Sequence, residues 1–208
     1  MDGRVIIFLQ RIPEASLDAR ALETLSAPQR ERLSAISHPA RKRQHLWSRT
    51  LFNAFAATLG VAAPDEFPRD RAHPPTRGRF TTLSHTGDWV MLGAAETPVA
   101  VDVEPMRPRE NWRALAEYAF STEKVEAVAA APAPLTAFYA AWVEHECRIK
   151  YPKAEDLDRA YPEPRMRTMT HGAAPFDLMI GALSADEPRL LTGEALLDAL
   201  PLMARILR

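Results

Sequence analysis

Two carboxylates stand two positions apart at the end of an apolar run, Val99-Ala100-Val101-Asp102-Val103-Glu104. Side chains alternate between the two faces of a strand, so Asp102 and Glu104 are expected to lie on the same face. On a strand that faces water, their mutual repulsion is mild. A hard cation such as Mg²⁺ is the functional alternative, because it binds one or two carboxylates and completes its octahedron with waters and substrate phosphates. The hexapeptide alone leaves both interpretations open.

A second group of charges follows in Trp142-Val143-Glu144-His145-Glu146-Cys147-Arg148-Ile149-Lys150. Apolar residues recur through this stretch at helical spacing, and Glu146 and Lys150 are four positions apart on one helix face. Taken alone, such a pair is typical of a surface ion pair worth about 0.3 kcal/mol.

A third motif, Leu83-Ser84-His85-Thr86-Gly87, combines a strand end with a turn. A hydroxyl, an imidazole and the amides of a turn are groups that bind phosphate, although a lone Ser-His pair is more often part of an ordinary turn. A serine hydrolase is disfavoured. Adjacent Ser and His side chains point to opposite faces of a strand, and the sequence has no Gly-x-Ser-x-Gly elbow.

Charge is unevenly distributed along the chain. The formal net charge of the 208 residues is -1, which predicts no general attraction to nucleic acid or to an anionic membrane. The first hundred residues are nevertheless net basic. Two segments carry most of these cations: Arg41, Lys42, Arg43 and Arg49 in one, and Arg69, Arg71, Arg77 and Arg79 in the other. They indicate either a local anion site or solvated surface charge.

The elements that must position these residues begin with a strand over 5–12. A short helix follows the Ser26-Ala27-Pro28-Gln29 capping box, and a long helix over 40–59 ends at Gly60. Residues 64–78 contain four prolines and are expected to form a loop. Three strands, expected as an antiparallel meander, are predicted over 79–83, 89–95 and 99–104.

The C-terminal part returns to helical spacing. Helices are predicted over 112–118, over 121–131 with Ser121 as N-cap, and over 135–151; residues 152–175 are expected to be a loop, 176–183 a strand, and 190–200 is left unassigned. Each half therefore mixes helices with a small sheet. Because no Gly/Ser-rich linker separates the halves, we expect an α+β protein whose halves pack directly.

Size and composition fit this expectation. A chain of 208 residues with 47% hydrophobic and 25% charged residues can bury a core as one large or two small units. The longest apolar run near the start, Val5 to Leu9, is too short for a membrane span or a signal-peptide core. The lone Cys147 excludes an internal disulfide. We therefore expect a cytoplasmic protein.

Together, the three motifs resemble the 4′-phosphopantetheinyl transferase superfamily in its large, two-halved form. The family pattern is a Ser-His-Ser-Gly turn, a Gly-x-Asp-x-Glu strand and Trp-x-x-Lys-Glu-Ala-x-x-Lys, in the order found here over roughly residues 40–151. The resemblance implies an α+β fold of two similar halves, each a small antiparallel sheet packed with helices. It places coenzyme A phosphates on residues 1–105, and the metal and acceptor on 106–208.

The resemblance also implies an activity, the transfer of the phosphopantetheine arm of coenzyme A to a serine of an apo acyl or peptidyl carrier protein, with release of adenosine 3′,5′-bisphosphate. Asp102, Glu104 and Glu146 would hold Mg²⁺, and Glu146 would also accept the proton of the attacking hydroxyl. Lys150 would neutralise the pyrophosphate. The remaining residues implied in coenzyme A binding are Arg43, Ser84, His85, His73 and His145. A chain that holds both halves is expected to work as a monomer.

Four of the departures from the family pattern involve residues of the candidate helices and the coenzyme A loop. His145 replaces a lysine before the glutamate, and Cys147 replaces the small residue after it. His73 stands where a Gly-Lys-Pro loop has its lysine, and Asn53 where an arginine is often found. Because imidazole is mostly neutral at physiological pH, the two histidines predict weaker phosphate binding. They keep open a second function, a non-catalytic relative that binds coenzyme A or a carrier protein. The sequence does not specify which carrier.

Overall fold

The computed structural model describes residues 5–62, 77–157 and 159–208. Eight helices and seven strands are found in these ranges, besides the 3-10 turns Ala15–Leu17 and Ala154–Asp156. In chain order they are β1 Val5–Arg11, α1 Asp18–Glu23, α2 Ala27–Ser34, α3 Pro39–Thr58, β2 Phe80–Thr86, β3 Trp89–Ala95, β4 Val99–Pro105, α4 Trp112–Ala119, α5 Thr122–Ala129, α6 Pro134–Lys150, β5 Arg165–His171, β6 Leu178–Ser184, β7 Pro188–Leu191, α7 Gly193–Ala199 and α8 Pro201–Leu207.

The strands form two sheets with the same internal arrangement. One has the order β2-β3-β1-β7 and the other β4-β6-β5. In each half the chain runs through a strand, three helices and a hairpin, and the second hairpin strand pairs antiparallel with both of the others. This repeat confirms the α+β fold of two similar halves. The exception to the antiparallel pattern is β7, which pairs parallel with β1.

The registers of the two sheets show which residues are equivalent. Gly93 of β3 lies opposite Ile7 and Thr82, and Gly181 of β6 lies opposite Asp102 and Thr168. Both glycines are closely surrounded. A Cβ atom at Gly93 would lie 2.6 Å from Val101 Cγ1, and one at Gly181 would lie 3.0 Å from Val143 Cβ. No side chain larger than hydrogen fits there without a shift of the neighbouring elements.

The hydrophobic core consists of three main clusters of buried residues. Between the sheets, alternate residues of β1 and β4, such as Val5, Ile7, Val101 and Val103, form a shared apolar cluster. The outer face of the first sheet is covered by α3, with α7 and α8 packed into the same cluster. Helix α6 covers the second sheet. Since α3 and α6 each lie on one sheet, their polar ends are held at fixed positions relative to the strand ends.

Several local predictions are confirmed. The capping box of α2 is present, because Ser26 Oγ accepts from Gln29 N while Gln29 Oε1 accepts from Ser26 N. Gly60 has the positive φ of 67° expected just after α3. Ser121 Oγ accepts the N–H of Lys124 at the start of α5.

Two predictions are wrong. Strand β4 does not continue the β2-β3 hairpin as a meander but pairs with β6, because its two faces are buried by different partners. Val101 packs in the cluster between the sheets, whereas Ala100 packs with Cys147 of α6. The expected loop over 152–175 contains β5, an edge strand whose Arg/Thr-rich composition hides its pairing with β6. The unassigned residues 190–200 form the end of β7 and helix α7.

None of the helices in the described ranges has both the length and the apolar character that a bilayer crossing requires.

Candidate functional site

The candidate site lies where β2 and β4 run side by side at the junction of the sheets. Ser84 Oγ donates a hydrogen bond to Asp102 Oδ1 at 2.7 Å, and Thr86 Oγ1 lies 3.5 Å from Glu104 Oε2. Within each pair the two residues are 18 positions apart in the sequence. Because this separation is the same for both pairs, β2 and β4 run in the same direction. Asp102 and Glu104 therefore share one face of β4, as their spacing predicted.

Lys150, the last residue of α6, reaches into this junction. Its Nζ atom lies 2.6 Å from Asp102 Oδ1, 3.3 Å from Ser84 Oγ and 3.5 Å from the Val101 carbonyl oxygen. The side chain of Asp102 is 5% exposed and that of Lys150 27%. The structure thus brings residues of all three motifs into contact. The two that are farthest apart in the sequence, Ser84 and Lys150, are separated by 66 positions.

Burial at the junction disfavours the ionised form of its two carboxylates. Burial, reinforced by the neighbouring Asp102 charge, raises the pKa of Glu104 to about 7, and the cations Arg109 and Lys150 oppose this only in part. Asp102 Oδ2 is buried and has no hydrogen-bond partner among the described residues. A buried carboxylate oxygen without a partner is costly, and a bound cation removes that cost.

The donors present fit a magnesium ion, since Mg²⁺ takes one or two carboxylates and otherwise waters and phosphate oxygens. Asp102 Oδ2 and Glu104 would supply the two carboxylates on β4. Within the described residues, no three His, Cys, Asp or Glu side chains are grouped as a metal centre. Glu146, half-buried on α6, therefore remains a predicted third ligand.

The residues predicted to bind phosphate lie in different parts of the structure. His85 is exposed at the end of β2, within electrostatic range of Lys150 and Arg41. Gln44 Nε2 donates to the Gly87 carbonyl oxygen at 2.9 Å, which fixes α3 against the β2-β3 turn. Arg41 thus lies within electrostatic range of His85, and Arg43 lies within electrostatic range of Asp88 in the turn of the same hairpin.

Arg43 links α3 to the N-terminal residues through hydrogen bonds. It donates to both carboxylate oxygens of Asp18, at 2.8 and 3.2 Å, and to the Pro13 carbonyl oxygen at 2.6 Å. Trp47 Nε1 also donates to Asp18 Oδ1, at 2.8 Å. The hydrogen bond to Asp18 raises the pKa of Arg43. A role of Arg43 in binding coenzyme A remains a prediction.

The departures from the family pattern have structural partners of their own. The His145 ring centroid lies 5.8 Å from that of Phe120 and 6.3 Å from that of Trp142, so the ring belongs to an aromatic group between α6 and α4. Asn53 exchanges side-chain hydrogen bonds with Gln29. His73 lies outside the described residues. Cys147 is fully buried, which raises the pKa of its thiol and leaves it unreactive.

Thr86 and His45 are two neighbours of the site that sequence reasoning missed. The signal for Thr86 was its period-two spacing from Ser84. The signal for His45 was its position four residues after Arg41 and four before Arg49, on one stripe of α3. Burial, with a contribution from the Arg49 and Arg32 charges, lowers the pKa of His45 to about 4, and its Nε2 atom is buried without a described partner.

His45 should make the stability of the protein depend on pH. Its pKa is about 4 in the folded state against 6.5 for the free side chain, so the unfolded chain binds the extra proton between these values. The free energy of unfolding should therefore fall as the pH is lowered through this window, by about 1 to 2 kcal/mol because half-exposure screens the charge. Urea unfolding of wild type and His45→Gln across the window measures the difference.

The variant His171→Gln, on β5, serves as the matched control and should keep the wild-type pH dependence. Parallel stability curves for wild type and His45→Gln would contradict the assignment of this proton to His45.

Known proteins resemble part of the chain. The 4′-phosphopantetheinyl transferase AcpT of Salmonella typhi is 42% identical over 71 residues, which are 33% of this chain and 37% of that protein. The AcpT of Escherichia coli K12 is 38% identical over 82 residues, 38% of this chain and 42% of that protein. The chain thus matches about two fifths of its curated relatives' length.

No family profile matches the sequence. The resemblance rests on the partial identities to the curated enzymes, and on the three motifs that the fold brings to one junction. By this evidence the chain is similar, over about a third of its length, to the 4′-phosphopantetheinyl transferases.

Proposed function

We propose that the protein transfers the 4′-phosphopantetheine arm of coenzyme A to a serine of an apo acyl or peptidyl carrier protein. The observation that carries this proposal is the contact of Lys150 with Asp102 and Ser84, which unites the three motifs in one partly buried charge cluster. The names of the curated relatives support phosphopantetheine transfer in general. The carrier, the monomeric state and the cytoplasmic location remain predictions.

In this proposal the carrier serine oxygen attacks the phosphorus that bears the pantetheine arm. A new P–O bond forms, the pyrophosphate P–O bond breaks, and adenosine 3′,5′-bisphosphate leaves. Glu146 takes the proton of the serine hydroxyl, which is the role of a positioned carboxylate base. The ammonium of Lys150 neutralises charge that develops on the phosphate oxygens.

The other residues bind and orient coenzyme A. The exposed His85 lies within electrostatic range of Lys150, where it can donate to a phosphate oxygen. Ser84 contacts Lys150 and would donate to a phosphate only in place of its hydrogen bond to Asp102. Asp102 and Glu104, with Glu146 as the further ligand that the family resemblance implies, would hold Mg²⁺. When bound there, Mg²⁺ would neutralise pyrophosphate charge.

The direct test is mass spectrometry of apo carrier proteins after incubation with the protein, coenzyme A and Mg²⁺. Carriers of fatty-acid, polyketide and nonribosomal-peptide type should be tried side by side. The expected result is a mass increase of one phosphopantetheine on at least one carrier, absent without the protein.

The second candidate function is binding without turnover. The observation that favours it is the position of His145, whose ring packs with those of Phe120 and Trp142 where the family pattern has a lysine. Coenzyme A binding by calorimetry without a mass increase on any carrier would favour the binder and contradict the transferase.

A further inference from the structure

The ammonium of Lys150 is already fully engaged in the protein. A lysine ammonium has three N–H donors. Three acceptors lie within 3.5 Å of Nζ, namely Asp102 Oδ1, Ser84 Oγ and the Val101 carbonyl oxygen. In this arrangement Lys150 has no donor left for a phosphate, so it must give up at least one of these contacts before it can bind one.

The two oxygens of Asp102 are occupied very differently. Oδ1 receives both the ammonium of Lys150 and the hydroxyl of Ser84, at 2.6 and 2.7 Å. Oδ2 is buried without a partner in the described part of the chain. The carboxylate is thus neutralised from one side, and its other oxygen is left for a second cation.

We propose that Lys150 is an internal counter-ion that exchanges with a divalent cation. It neutralises Asp102 in the ligand-free protein and moves to the phosphates of the ligand once the cation binds the carboxylates. The inference rests on the proposed function, because it takes a pyrophosphate as the anion that receives Lys150. It adds that the two ligands bind cooperatively and that Lys150 is the group that couples them.

The coupling follows from charge. A divalent cation that binds Oδ2 alone is repelled by the Lys150 ammonium on the other oxygen of the same carboxylate. Its binding weakens the hold of Asp102 on Lys150, which then needs another anion. A phosphate ligand provides that anion. Each ligand therefore strengthens the binding of the other by the same factor, as linkage requires.

Calorimetric titration with Mg²⁺ alone tests the exchange. Lys150→Met keeps the length of the side chain and removes its charge, and is expected to bind Mg²⁺ at least about tenfold more tightly than wild type, which is 1.4 kcal/mol. The matched control is Lys124→Met. Like Lys150, Lys124 forms an ion pair with a carboxylate, in this case that of Glu144 on α6. Because this pair does not include Asp102 or Glu104, the loss of Lys124 should leave Mg²⁺ affinity unchanged.

The same titrations with coenzyme A present measure the coupling. Coenzyme A should tighten Mg²⁺ binding to wild type severalfold more than it tightens binding to Lys150→Met. Equal or weaker Mg²⁺ affinity in Lys150→Met, or an undiminished effect of coenzyme A, would overturn the exchange.

A measurement on the wild-type protein keeps the test independent of the folding of the variant. Reductive methylation of Lys150, followed by peptide mass spectrometry, should speed up when Mg²⁺ alone is added, with the exposed Lys153 as internal standard. Unchanged labelling under Mg²⁺ saturation would overturn the exchange. The carrier mass assay is separate, so carrier modification with no change in Mg²⁺ affinity would refute the exchange and leave the transferase standing.

Discussion

Asp102→Asn should lower the rate of phosphopantetheine transfer by roughly 10²- to 10³-fold, the range found when one preorganised charge-stabilising group is removed. The amide keeps the shape of the side chain and can still accept from Ser84, but it removes the charge that pairs with Lys150 and that is proposed to bind a divalent cation. The rate is measured by the carrier mass assay at saturating coenzyme A.

The same substitution separates activity from folding. Loss of the counter-ion of Lys150 should cost about 1 to 3 kcal/mol of unfolding free energy. Relief of the repulsion that helps to raise the pKa of Glu104 to about 7 works in the opposite direction. Urea unfolding should therefore show a folded protein. Asp198→Asn, on the exposed face of α7, is the control that should change neither quantity. Undiminished transfer by Asp102→Asn would remove Asp102 from the mechanism.

Glu146→Gln should lower transfer by about 10²- to 10⁴-fold, the usual contribution of a general base. Coenzyme A affinity should change much less, since the proposed phosphate ligands Ser84, His85 and Lys150 are retained. The measurement is single-turnover transfer across a range of pH. Transfer by the variant should be lower than transfer by wild type throughout this range.

The control for this substitution comes from the same helix. Glu144→Gln loses the ion pairs with Lys124 and Arg148, which lower the pKa of Glu144 against the effect of burial. It should reduce stability modestly and leave transfer intact. If Glu144→Gln loses transfer as severely as Glu146→Gln, the effect belongs to the helix and not to a base.

The sequence predicted the elements well wherever local chemistry decides them. A capping box marks the start of α2, Gly60 follows the end of α3, and the apolar spacing of α6 gives its length to within a residue or two at each end. Strand pairing was less accessible, because it depends on what covers each face. The partner of β4 is decided by the need to bury Val101 and Ala100 on opposite sides, which no local pattern encodes.

The candidate site shows the same division. The spacing of Asp102 and Glu104 predicted a shared face, and the face is shared because each meets a residue of β2. The position of Arg43 could not be predicted in this way. A basic segment indicates charge near α3, but the direction of each arginine depends on a carboxylate such as Asp18, which lies 25 positions away.

The two sheets have equivalent strands, but the residues at equivalent positions differ in polarity. By register, Ile7 of β1 occupies the place that Asp102 occupies in the other half, while Thr170 and His171 occupy the places of Ser84 and His85. The hairpin's polar pair is thus present twice, but β1 carries apolar residues where β4 carries acids. The two halves therefore share one architecture, but the acidic pair of the proposed site is present in only one of them. The equivalent positions of the other half contribute to the apolar cluster between the sheets.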